Sequence, residues 1–142
     1  MIEAMLKTRN CRWLDVRGAT DPRGSINFLE AGKDLPFKPQ RLFWLHHIAP
    51  GQWRGRHGHR ETELVLVAMH GGCQVHLDDA RTKETVTIDD PGRALYVGTW
   101  VWHELTDFAP DSAILAIAST LYEDAEYLRD YEGFKREAAS QP

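Results

Sequence analysis

The stretch Cys73-Gln74-Val75-His76-Leu77-Asp78, followed by Asp79-Ala80-Arg81 and then by Thr85-Val86-Thr87-Ile88, decides the fold class. Its first run alternates, with Cys73, Val75 and Leu77 on one face and Gln74, His76 and Asp78 on the other. That period of two belongs to a strand with one buried side. Asp78-Asp79-Ala80-Arg81 supplies turn residues, and Val86 and Ile88 resume the alternation, so the whole reads as a hairpin. The same rhythm recurs at Ser25–Glu30, Arg41–Ile48, Glu63–His70, Ala94–Val97, Val101–Phe108 and Ala113–Ser119, with Gly and Pro between the runs. About eight short strands at roughly 8–12-residue spacing predict an all-β sandwich or barrel. Only Glu123–Phe134 reads as helix, with Ala125, Leu128 and Tyr131 at helical spacing and Gly133 as its stop.

The chain has 142 residues, enough for one domain with a core of its own and no separate cofactor-binding module. The domain is expected to span residues 1–134, with 135–142 as a frayed tail. Seventeen Lys and Arg against 21 Asp and Glu give a net charge of −4. That balance speaks against a general nucleic-acid or anionic-membrane binder. No apolar run is long enough to span a bilayer and the Met1 start shows no leader, so a cytoplasmic protein is expected. Cys11 and Cys73 lack metal-ligand spacing, and Cys73 falls on the apolar face of its strand, which predicts a packed thiol.

Histidine is the unusual count, at seven. In Gly51-Gln52-Trp53-Arg54-Gly55-Arg56-His57-Gly58-His59-Arg60-Glu61-Thr62-Glu63, His57 and His59 are two apart, so on an extended segment both imidazoles face the same way. Glu63 has the same parity, and His103 ends the later run Gly98-Thr99-Trp100-Val101-Trp102-His103. A lone His-x-His pair on a strand is readily structural, but Glu63 and His103 at these distances point to a site. Taken together, His57, His59, Glu63 and His103 would form a three-His, one-carboxylate set for Fe, Mn, Ni or Zn.

The spacing Gly-x5-His-x-His-x3-Glu with a late His resembles the two motifs of the cupin superfamily, which implies a jelly-roll β-sandwich with a short C-terminal helix. A closer resemblance runs through most of the chain. It begins with Asp21-x-Arg23-Gly24, Gln40-Arg41-Leu42-Phe43-Trp44-Leu45 and Arg54-Gly55-x-His57-x-His59-Arg60, and continues with Trp102-His103-Glu104-Leu105. It closes with Tyr122-x-x-x-x-Tyr127-Leu128-Arg129-Asp130-Tyr131-x-x-Phe134. These runs are similar to the WxcM-like sugar 3,4-ketoisomerases, which act on dTDP-4-keto-6-deoxyglucose.

The resemblance implies a metal-free enzyme with no cofactor, a homodimer that exchanges strands, and a place in deoxyamino-sugar synthesis for surface glycans. Moving a ketone from C4 to C3 needs a base for the C3 proton and an acid to return a proton at C4. Imidazole suits either role near neutral pH. His57 is the expected base and His59 its partner. Arg41 or His47 is the expected oxyanion donor, and Arg23, Arg41, Arg54 and Arg60 are the candidate diphosphate clamps. Trp102 is a candidate stacking platform, and His103 would reach C4 from the opposite face to give a galacto product.

Three positions depart from the family pattern. Phe43-Trp44 stands where two tyrosines are usual, Gly58 stands where alanine is usual, and Glu63-Leu64 replaces His-Gln. The carboxylate at 63 has two readings: a metal ligand, or a partner that fixes the tautomer of His59. The alternatives to the isomerase are a metal-dependent cupin of dioxygenase type using His57, His59, Glu63 and His103, and a sugar-nucleotide-binding cupin without catalysis.

Overall fold

A computed structural model describes residues 5–142. The expected start of the domain at Met1, and the reading that no leader precedes it, lie outside the described residues. Twelve strands and one α-helix follow in order: β1 (Cys11–Asp15), β2 (Arg17–Asp21), β3 (Gly24–Phe28), β4 (Arg41–His46), β5 (Arg54–His59) and β6 (Leu64–His70), then β7 (Cys73–Asp78), β8 (Lys83–Ile88), β9 (Arg93–Val97), β10 (Trp102–Thr106), β11 (Ala113–Ala118), β12 (Tyr127–Leu128) and α1 (Tyr131–Ala139). A single 3-10 turn, Asp124–Glu126, precedes β12.

Two five-stranded antiparallel sheets face each other in the orders β1-β9-β6-β11-β4 and β12-β5-β10-β7-β8, and β2 and β3 form a separate hairpin. This is the expected all-β jelly-roll sandwich. Alternation made it so: Cys73, Val75 and Leu77 are buried with Leu64, Leu66, Leu95, Val97 and Ile114 between the sheets. Each such side chain removed from water contributes about 1.5–3 kcal/mol before the entropy of ordering it is counted. The β7–β8 turn is closed by Asp78 and Asp79, whose carboxylates accept from the backbone of Ala80, Arg81 and Thr82. Cys73 is buried and unbridged, as its place on the strand predicted.

The C-terminus corrects the sequence reading. The expected helix over Glu123–Phe134 is instead a turn, a two-residue strand and a helix that begins at Tyr131. Tyr127 and Leu128 pair with His59 and Gly58 of β5, and that pairing draws the chain out of helical geometry. Asp130 is the true N-cap, its carboxylate accepting from Gly133 N–H at 2.9 Å, so Gly133 lies in the first turn rather than ending the helix. Residues 135–139 are helical, not frayed, with Ala138 buried, and Arg9 donates to the backbone carbonyl of Pro142 at 2.8 Å.

Candidate active site

A bulge builds the site. His103 of β10 pairs with His57 of β5, but the next residue, Glu104, pairs with Gly55, so Arg56 is the extra residue. Gly55 (φ +88°) and Arg56 (φ 63°) both take left-handed backbone, and a side chain at 55 would lie 2.8 Å from the carbonyl oxygen of His103. Only glycine fits there, which is the physical content of the Arg-Gly-x-His run. Arg56 turns outward onto the Trp53 ring at 3.6 Å and pairs with Glu104 at 3.1 Å.

Past the bulge, His57, Gly58 and His59 resume extended geometry, and both imidazoles point inward beside His103. The ring nitrogens of the three lie within 4.8 Å of one another, with His59 and His103 each only 3 % exposed. Gly58 lies against Phe134 of α1, where a Cβ would come within 2.9 Å of the ring. That contact accounts for glycine between the two histidines in this chain.

Burial holds the imidazoles neutral. It lowers His57 to about 4, with the neighbouring His59 and Arg129 adding to the effect. His103 is pushed down to about 3 by burial and then by His57. His59 is lowered too, by burial first and by His103 second, against the opposing pull of Glu126.

Glu126 is the carboxylate partner that the sequence placed at Glu63. Its Oε1 lies 2.6 Å from His59 Nδ1 and accepts from the Thr62 hydroxyl at 2.6 Å. Its Oε2 accepts from the backbone of Glu61 at 3.2 Å. Burial by itself would raise the Glu126 pKa, but the hydrogen bonds from Thr62 and His59 outweigh it and the net shift is downward. An ionised carboxylate only accepts, so His59 carries its proton on Nδ1 and presents Nε2 to the site.

Glu63, by contrast, accepts from the Tyr96 hydroxyl at 2.6 Å and does not join the cluster. The four-ligand set is therefore not assembled. Three imidazoles remain, and their nitrogens are close enough to hold a divalent ion.

Tyr127 completes the floor. Its ring lies edge-on at 4.4 Å from His59 and 4.9 Å from His57, and its hydroxyl is 3.4 Å from Arg41 Nη1. Arg129 stacks over the same ring at 4.6 Å and is held by Asp124 at 2.8 Å. A cavity of about 480 Å³ opens beside His57, lined by Trp53, Gly55, Arg56, Trp102, Arg129 and Tyr131. A larger trough of about 770 Å³ lies elsewhere, between β2–β3 and the sheet of β4, β6 and β11. It is lined chiefly by apolar groups and holds none of the three imidazoles.

The other expected site residues scatter. Arg60 is a staple, donating to Ala125 O at 3.0 Å and to Glu137 Oε2 at 2.8 Å. His47 sits past the far end of β4, against His46 Nδ1 at 2.7 Å, about 20 Å along the strand from Arg41. Arg54 is exposed at the start of β5. Arg23 stands on the β2–β3 turn, bound to Asp21 at 2.6 Å with its side chain 90 % exposed. Trp102 lines the cavity beside His57 and packs on Tyr131 at 5.2 Å and on Phe134 at 5.7 Å. Sequence reasoning missed Glu126, Tyr127 and Arg129 as site residues, although the last two stand in the C-terminal run that carries the family resemblance.

The family profile described as FdtA, WxcM-like, C-terminal, matches residues 9–139. The TDP-4-oxo-6-deoxy-alpha-D-glucose-3,4-oxoisomerase of Aneurinibacillus thermoaerophilus is 39% identical over 116 residues, 82% of this chain and 84% of that one. A 3,4-ketoisomerase from Helicobacter canadensis superposes with a TM-score of 0.88 at 33% identity, covering 92% of this chain and 98% of that chain. A histidine-to-asparagine mutant of the 3,4-ketoisomerase QdtA from Thermoanaerobacterium thermosaccharolyticum, in complex with TDP-4-keto-6-deoxyglucose, superposes with a TM-score of 0.91 at 26% identity, covering 94% and 96%.

Proposed function

The chain belongs to the FdtA family of WxcM-like C-terminal domains, and from that premise we propose that it is a sugar-nucleotide 3,4-ketoisomerase acting on a TDP-linked 4-keto-6-deoxy sugar. The observation that carries this reading is a neutral His57, buried among imidazoles and facing a cavity with Arg56 and Arg129 at its wall. A base that is neutral and desolvated takes a proton from carbon; a protonated one does not.

His57 removes the C3 proton, and the electron pair forms the enediolate. The imidazolium exchanges its proton with solvent and delivers one to C4 while the O3 proton passes to O4, so the ketone has moved to C3 with nothing gained or lost. His59, its Nδ1 tied to Glu126, offers Nε2 to that exchange and holds the geometry. Arg56 and Arg129 line the cavity beside His57 and would meet the diphosphate, a role the sequence reading gave to Arg23, Arg41, Arg54 and Arg60. No metal is required by these steps.

The assay is direct. TDP-4-keto-6-deoxyglucose incubated with the protein in D2O should give the 3-keto isomer with deuterium exchange at carbon. Absence of exchange above the uncatalysed rate would favour a binding protein. Metal analysis belongs with it: activity that disappears on chelation and returns with one metal would overturn the metal-free route. Because H3 and H4 of a gluco sugar lie on opposite ring faces, protonation of C4 by His57 on the face that H3 left gives a galacto product, with His103 beside it at 4.8 Å between ring centroids. A small H4–H5 coupling constant is expected, and a large diaxial one would assign gluco.

The functional unit is a homodimer with exchanged strands, acting in the cytoplasm. Among the described residues no helix is long and apolar enough to cross a membrane. Support for exchange comes from the β2–β3 hairpin, which joins neither sheet and exposes Ile26 (62 %) and Phe28 (39 %). Leu42, Trp44 and Met69 are likewise exposed on the sheet that bears the apolar trough. In such a dimer Arg23 would serve the partner's pocket. Sedimentation at micromolar concentration should show a dimer, and a monomer of full activity would remove both claims.

A further inference from the structure

Proton abstraction by His57 leaves negative charge on O4; of the two oxyanion donors expected from the sequence, His47 lies past the far end of β4 and Arg41 remains. Arg41 opens β4 with its side chain inward. Its guanidinium lies 5.5 Å over the Phe43 ring and 5.5 Å over the Tyr122 ring, and Nη1 reaches the Tyr127 hydroxyl at 3.4 Å. Its Nε and Nη2 are buried and have no hydrogen-bond partner. A buried guanidinium with unspent N–H groups is costly unless something negative arrives beside it. Phe43, on the same inner face, has no hydroxyl to offer. Tyr127 does, and its ring touches both His59 and His57. It is also fixed, because β12 pairs Tyr127 directly with His59.

Resting on the ketoisomerase reading, we propose that Tyr127, backed by Arg41, is the electrophilic partner of His57: the phenol donates a hydrogen bond to the C4 carbonyl oxygen and holds the enediolate. As the C3–H bond breaks, its electron pair becomes the C3–C4 double bond and the carbonyl π pair moves to O4. Tyr127 keeps its proton and donates throughout, while Arg41 supplies fixed positive charge behind it. When C4 takes a proton from His57, the O3 proton passes to O4 and the carbonyl forms at C3. Arg41 thus serves the sugar end of the substrate and not the diphosphate.

Three measurements test this on the intact protein: turnover, solvent deuterium exchange at C3, and affinity for TDP, which lacks the sugar. Tyr127→Phe and Arg41→Met should each lower turnover and exchange about 10²-fold, the loss typical of one removed oxyanion donor, with TDP affinity unchanged. Full activity in Tyr127→Phe overturns the assignment of the phenol. Weakened TDP binding in Arg41→Met overturns the sugar-end role of Arg41 and returns it to the diphosphate.

If Tyr127→Phe fails to fold, 3-fluorotyrosine at 127 preserves the shape and makes the phenol more acidic. A changed rate with unchanged TDP affinity then supports the role, and an unchanged rate overturns it. The unaltered protein is assayed first. Its inactivity would sink the ketoisomerase reading, whereas an active protein with an active Tyr127→Phe variant would sink only this inference.

Discussion

The role proposed for His57 rests on its being neutral. With burial as the main cause, its pKa lies at about 4, so the base is free throughout the neutral range. The kcat/KM profile should stay level from neutral pH to about 5 and fall only below that, its limb belonging to the coupled imidazoles as a set. A limb near the 6.5 of an ordinary imidazole would show a solvated, differently placed base. His57→Asn should lose on the order of 10²-fold or more in turnover while still binding TDP. Glu126→Gln keeps the volume and removes the charge that fixes His59. It should lower kcat by roughly 10–100-fold with little change in KM, and the conservative Glu126→Asp should recover part of the loss. A simple loss of stability would not produce that split.

Strand β5 shows how an element delivers these residues. Gly55→Ala would force a side chain into left-handed backbone, 2.8 Å from the His103 carbonyl oxygen, and should cost about 1–3 kcal/mol in urea unfolding. Asp130→Ala should cost about 1 kcal/mol by uncapping α1. The same elements explain what could be read from sequence. β7 and β11 announce themselves because one face is core and the next is not, so composition alternates. β2 is exposed along nearly its whole length and offers no such contrast to be read, whereas β3, exposed throughout, was expected at Ser25–Glu30. The bulge at Arg56 breaks the period of two inside β5 itself. Glu126 lies 67 residues from His59, and no spacing rule spans that; Glu63 matched by parity, yet its carboxylate goes to Tyr96. The imidazole cluster was legible because histidines two apart on a strand must share a face. The partners that tune it come from distant segments and became visible only in three dimensions.

At the scale of the molecule, a buried cluster of imidazoles ties stability to pH. In the unfolded chain each titrates near 6.5; in the fold His57 and His103 titrate at about 4 and about 3. Between those limits the unfolded state binds more protons, so stability rises with pH through this window. It is fully present above about pH 6.5 and is lost as the pH falls toward 4. The Tm at pH 5 should therefore lie below that at pH 7, and His103→Gln should flatten the slope. An equal Tm at both values would mean that the cluster is hydrated or shares a proton.

The placement of Glu126 and Tyr127 also has a consequence in time. During synthesis β1 to β11 leave the ribosome first, bringing all three imidazoles with them. The carboxylate that orients His59 and the phenol that touches His57 arrive only later, with the segment that forms β12. A chain interrupted at residue 120 would own its base and lack what directs it. Competence is therefore withheld until the segment that carries Glu126 and Tyr127 has been made and has paired with β5.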